Sequence, residues 1–103
     1  MYQVIQRGAP TAAYGRGMWI VELSLTGTPE RLAARGDHRG RLAARHEEGT
    51  VRMAGPLADD SGALIIVDLP DRRDVDGFLD ADPYFTTEGV TVVQVREWAP
   101  FLV

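Results

Sequence analysis

What most narrows the fold of this chain is the order in which its hydrophobic periodicity changes. Three runs, WIVELSL at Trp19–Leu25, ALIIVDL at Ala63–Leu69 and VTVVQVREW at Val90–Trp98, are rich in β-branched and aromatic residues and read as strands. Thr50–Ala54 is a shorter strand that Gly55-Pro56 ends or bends. After the first strand, Thr28-Pro29-Glu30 supplies a helix cap followed by proline at the first helical position. Leu32, Ala33 and Ala34 continue that helix to Gly36. Asp37 caps a second helical piece, which runs through Leu42, Ala43 and Ala44 to Gly49. Asp59-Asp60-Ser61-Gly62 has the composition of a tight turn and joins two strands as a hairpin. Pro70-Asp71 opens another helix, whose Val75, Phe78 and Leu79 fall on one stripe. Asp82-Pro83 closes it, because the residue before proline is pushed out of the helical region.

The resulting order, β-α-β-β-α-β, closes most economically as one antiparallel sheet with both helices on one face. The expected class is therefore α+β, with a ferredoxin-like arrangement. A chain of 103 residues has room for one such domain, assigned to residues 18–103. Met1–Gly17 reads as an arm with little periodicity, in which Tyr2–Gln6 is a candidate short strand and the GxG at Gly15–Gly17 a linker rather than a phosphate loop. Both faces of the first and third strands are apolar, so the sheet face without helices is expected to be covered by a second copy in a homodimer. The apolar tail Ala99–Val103 is likewise expected to be covered.

Composition excludes several chemistries. The chain has no Lys and no Cys, which removes Schiff-base catalysis, thiolate nucleophiles, disulfides and cysteine–zinc sites. With two His, any metal site would rest on carboxylates, and His46, eight residues after His38, is turned too far around a helix to share a metal with it. Neither a metal nor a cofactor is expected. A net charge of −4 weighs against nucleic acid as a partner. No stretch has the apolar length to cross a bilayer and no signal-peptide core opens the chain, so no membrane partner and a cytoplasmic location are expected.

Two polar residues sit on apolar stripes. His38 lies one turn before Leu42, and Asp82 lies seven after Val75 and four after Phe78. With the two helices running in opposite directions, both side chains are aimed at the same corner of the sheet. A carboxylate beside an imidazole fixes its tautomer and favours its protonated form, the usual arrangement for acid/base work near neutral pH. Spacing alone leaves the plainer readings open: a satisfied histidine at the core edge and an Asp-Pro turn that only ends a helix.

The run Arg35-Gly36-Asp37-His38, with Leu42 four later and Glu48-Gly49 beyond, resembles the first-helix signature of YCII-related proteins. Gly55-Pro56-Leu57, the strand at Leu64–Val67, and Phe78-Leu79 followed by Ala81 and Asp82-Pro83-Tyr84 are similar to later elements of that family, in the same order. The likeness spans Trp19–Trp98. Two features depart from the pattern: the arm before the first strand, and Gly36 where proline often follows the arginine. The resemblance implies a dimeric α+β barrel, related in fold to muconolactone isomerase. It also implies an acid/base pair that maps onto His38 and Asp82. One branch of the family eliminates chloride from a chlorinated, hydroxylated aromatic.

Two further residues are candidates for substrate binding. Arg35, one turn before His38, could hold an anionic or enolate oxygen; Tyr84, after the Asp-Pro turn, could wall the pocket or donate its hydroxyl. Each has a plain alternative, a surface arginine and a core aromatic. Arg31, Arg35 and Arg39 form an i, i+4 ladder that reads as a solvated mixed face, given Asp37, Glu47 and Glu48 nearby. The functional expectation is a cofactor-free lyase, isomerase or cyclase acting on a small cyclic or aromatic enol-type compound. The competing expectation is a non-catalytic module of the same fold that binds a small ligand or braces an assembly.

Overall fold

A computed structural model of the chain describes residues 17–103. The candidate strand at Tyr2–Gln6 and the start of the GxG lie outside the described residues. Strands β1 (Met18–Leu25), β2 (Val51–Pro56), β3 (Gly62–Asp68) and β4 (Val90–Trp98) form one sheet in the order β2-β3-β1-β4, and every neighbouring pair is antiparallel. Helices α1 (Pro29–Glu47) and α2 (Arg72–Asp80) complete the β-α-β-β-α-β order of a ferredoxin-like α+β domain. Among the described residues no helix is long and apolar enough to cross a membrane.

The core follows from strand alternation. Trp19, Val21, Leu23 and Leu25 of β1 and Ile65 and Val67 of β3 pack with Val75 and Phe78 of α2. Burying each of these side chains contributes about 1.5–3 kcal/mol. The alternation expected along β4 is interrupted by a bulge. Glu22 pairs with Gln94 but Leu23 pairs with Val92, so Val93 is the extra residue and the inward set is Val90, Val92 and Val95. At the β2–β3 turn, the Asp59 carboxylate accepts from the Ser61 N–H (3.0 Å) and hydroxyl (2.6 Å). Gly62 follows because β1 leaves no room for a side chain: a Cβ there would lie 2.5 Å from the Leu23 carbonyl oxygen.

Two local expectations change. First, α1 is one helix of 19 residues, not two pieces meeting at Gly36. A glycine in a helix interior costs about 1 kcal/mol relative to alanine, and the surrounding Ala and Leu residues outweigh that. Asp37, expected as a cap, instead pairs with Arg41 one turn on at 3.0 Å. Second, α2 ends at Asp80, with Ala81 as its C-cap, so Asp82 is not the helix's last residue. In the tail, Pro100 is buried, and Phe101, Leu102 and Val103 are exposed within the single chain. On the sheet face away from the helices, Leu64, Met53 and Trp98 are also exposed.

Candidate functional site

The site is built on the inward stripe of α1. Thr28 caps that helix by accepting from the Arg31 N–H (3.1 Å), and its hydroxyl donates to the Glu88 carbonyl (2.6 Å), which ties the helix start to the loop before β4. From there Arg31, Arg35, His38 and Leu42 recur at helical spacing toward the sheet, and Arg31 and His38 are buried. His38 is 6% exposed.

Asp82 reaches His38 by a local rule. As the residue before Pro83 it adopts extended backbone (φ −121°, ψ 111°), which ends α2 and turns the chain into a 3-10 helix at Pro83–Thr86. Its Oδ1 caps that helix by accepting from the Tyr84 N–H (2.9 Å). Its Oδ2 is then free to meet His38 Nδ1 at 2.7 Å, a pair buried on both sides. An ionised carboxylate can only accept, so Nδ1 is the donor in this pair, and in the neutral ring the lone pair then falls on Nε2. The imidazole lies flat on the Tyr84 ring, with centroids 3.8 Å apart and planes within 10°, and meets the edge of Phe85 at 5.3 Å. These contacts fix the ring's plane as well as its tautomer.

His38 lines a cleft of about 850 Å³ between α1 and strands β2 and β3. Its Nε2 has no hydrogen-bond partner among the described residues. Asp82 does not line this cleft. It stands behind the imidazole, so the pair meets as expected, but only the histidine can touch a ligand there. Arg35 also lines the cleft, half-buried and without an ion pair or hydrogen-bond partner for its guanidinium among the described residues. Tyr84 serves in both capacities considered for it, as a core aromatic 4% exposed and as part of the cleft wall.

Arg31 is the residue that sequence reading missed. It belongs to the arginine ladder expected to be solvated, yet it is 2% exposed. Its Nε donates to the Thr26 carbonyl (2.6 Å), one Nη to the Tyr84 hydroxyl (3.3 Å) and the other to Asp60 Oδ2 (3.3 Å). The Tyr84 hydroxyl, followed by Asp60, holds the guanidinium above its ordinary pKa against the opposing effect of burial. The signal was present: Arg31 lies seven residues before His38, two turns up the same stripe. Asp60 carried no such signal, being one polar residue in a polar turn. Among the described residues, no three His, Asp or Glu side chains come together as a metal-ligand set.

The family model described as the YCII-related domain matches residues 9–99, which takes in the whole βαββαβ unit and the last part of the arm. No curated protein matches the chain.

Proposed function

The chain belongs to the YCII-related family, and on that premise we propose that it is a cofactor-independent acid/base enzyme acting on a small cyclic or aromatic enol-type compound. His38 is the proton carrier and Asp82 its positioning residue. Support comes from the unequal surroundings of the two ring nitrogens. Nδ1 is locked to a buried carboxylate at 2.7 Å, while Nε2 is unpartnered on a residue lining a cleft of ligand size.

In the step envisaged, Nε2 takes a proton from ring carbon next to a carbonyl or enol carbon. The C–H electron pair becomes the enolate double bond. In an elimination that pair then expels chloride from the adjacent carbon; in an isomerisation the imidazolium returns its proton to another carbon. After elimination the imidazolium loses its proton to water. Such substrates stabilise their own carbanion, so one oriented base in a partly desolvated cleft is sufficient machinery. Arg35 and the Tyr84 hydroxyl are assigned to the enolate oxygen, the first by charge and the second by hydrogen bonding. A second copy stacked on the sheet face that bears Leu64, Met53 and Trp98 completes the proposal, and light scattering should then give twice the 11.3 kDa chain mass.

The test uses a panel of hydroxylated and chlorinated aromatics and cyclic enols, followed by chloride release and by deuterium incorporation from D₂O. At least one compound should turn over, and His38→Gln should lower that rate by about 10²–10⁴-fold with the fold intact. Turnover that survives in His38→Gln would sink the reading. Unfolding of both His38→Gln and Asp82→Asn would show that the pair serves structure instead.

A further inference from the structure

The cleft carries the opposite charge to the molecule. The chain has a formal net charge of −4, yet Arg31, Arg35, Arg39 and Arg52 line the cleft against only Asp60 and Glu47, a formal excess of two positive charges. A concave surface lined by one sign of charge focuses its field and concentrates ligands of the opposite sign. Arg52 is paired with Asp68 at 3.3 Å, but Arg35 and Arg39 have no ion pair among the described residues.

Arg31 sharpens this general preference into a position. Its guanidinium is a permanent charge that is almost fully buried, and a buried charge needs a compensating partner. The partner is Asp60, whose side chain is 52% exposed at the tip of the β2–β3 hairpin. They share one contact of 3.3 Å, longer than an optimised charge-assisted hydrogen bond and not bidentate. The Asp60 backbone is left-handed (φ 63°), which is uncommon for a residue other than glycine. A buried cation on the cleft wall is thus balanced by a loosely held carboxylate on a surface turn. Arg31 also touches the Tyr84 hydroxyl, and the Tyr84 ring stacks on His38, so the anion position and the imidazole share one aromatic side chain.

We propose that the ligand of this cleft is a small organic carboxylate, and that Asp60 holds the carboxylate's place on Arg31 until the ligand arrives. The proposal builds on the acid/base reading by naming the substrate class. The ligand's carboxylate exchanges with that of Asp60 on Arg31, its ring lies along Tyr84, and its reacting carbon faces His38 Nε2. Because Asp60 competes for the guanidinium, it lowers the apparent affinity by the fraction of time Arg31 is occupied.

The experiment titrates ¹⁵N-labelled protein with benzoate and salicylate and with the matching neutral amides. The reporter is the Arg31 Nε–H resonance, which the 2.6 Å bond to Thr26 should slow in exchange. The carboxylates should bind about tenfold or more tightly than the amides and move that resonance. Equal affinities, no saturable binding of either carboxylate, or binding that leaves the Arg31 signal unmoved would overturn the proposal. Asp60→Asn removes the competing charge and keeps a residue that tolerates the left-handed turn. It should tighten carboxylate binding by about threefold or more and leave amide binding unchanged; unchanged or weaker carboxylate binding would overturn the role given to Asp60. Proton transfer is followed separately, by deuterium incorporation from D₂O. Carboxylate binding without proton transfer therefore leaves this proposal standing while the acid/base reading falls, and proton transfer without an anion preference does the reverse.

Discussion

Replacing Asp82 by asparagine separates the two functions of that carboxylate. In the parent, Oδ1 caps the 3-10 helix through the Tyr84 N–H (2.9 Å), and Oδ2 holds His38 Nδ1 (2.7 Å). Asparagine keeps one acceptor oxygen, and the cap selects it, because the Tyr84 N–H can only donate. The amide NH₂ then faces Nδ1. Two donors cannot share that contact, so the histidine proton must move to Nε2. The charge-assisted bond, worth about 1.5–3 kcal/mol, becomes a neutral one worth about 0.5–1.5 kcal/mol. The net loss is about 1–2 kcal/mol, and in a domain of this size each kcal/mol lowers Tm by about 4–8 °C. Asp82→Ala loses the cap as well and should cost about 2–5 kcal/mol. The assay for the tautomer is the long-range ¹H–¹⁵N spectrum of the imidazole, which reads the protonated nitrogen without any substrate. The parent should show Nδ1–H and Asp82→Asn should show Nε2–H. With its lone pair lost from the cleft side, His38 can no longer act as a base there, and turnover should fall by about 10²–10⁴-fold. A variant that keeps the Nδ1–H tautomer, or a parent that never had it, refutes the assignment of roles within the pair.

Other outcomes follow from the glycines and the turn. Gly36→Ala should stabilise the domain by about 0.8–1 kcal/mol, read as a higher urea midpoint, because a Cβ there meets nothing within 4 Å and the helix is continuous; destabilisation would restore the break expected at Gly36. Gly62→Ala should destabilise by about 1–3 kcal/mol in the same assay, since its Cβ would lie 2.5 Å from the Leu23 carbonyl oxygen on the neighbouring strand, and an unchanged midpoint would contradict that register. The Ser61 hydroxyl, and after it the Ser61 N–H, hold the Asp59 carboxyl below its ordinary value of 3.8, so its stabilising effect is present above that pH and fades as pH falls through the lowered value. The stability advantage of the parent over Ser61→Ala should therefore shrink as the medium is acidified from neutrality to below 3.8, and a gap that widens would reverse the sign.

The fold was legible because each element announces itself twice, by period and by boundary. WIVELSL and ALIIVDL are central strands with nearly continuous apolar runs, and Thr28-Pro29 and Pro70-Asp71 open the helices as their chemistry requires. What could not be read was set by tertiary contact. The bulge at Val93 changes the phase of β4 only because β1 pairs with it in that register. Gly36 looks like a stop in isolation, yet the Ala and Leu residues on either side carry the helix through it.

The pairing of His38 with Asp82 was anticipated from helical phase, but phase accounts for only one partner. His38 points inward because it lies two turns from Arg31 and one from Leu42 on a continuous helix. Asp82 points inward for another reason. Pro83 forbids helical backbone at position 82, the extended residue becomes an N-cap, and capping commits one oxygen to Tyr84 while aiming the other at the imidazole. The same cap places the Tyr84 ring, which then stacks on the imidazole and meets Arg31 through its hydroxyl. One dipeptide therefore orients the base, builds the wall beside it and helps hold the buried cation. Arg31 escaped notice because a charged side chain on a buried stripe looks like an error of phase until the partners that neutralise it are seen, and those partners, Asp60 and Tyr84, lie 29 and 53 residues away.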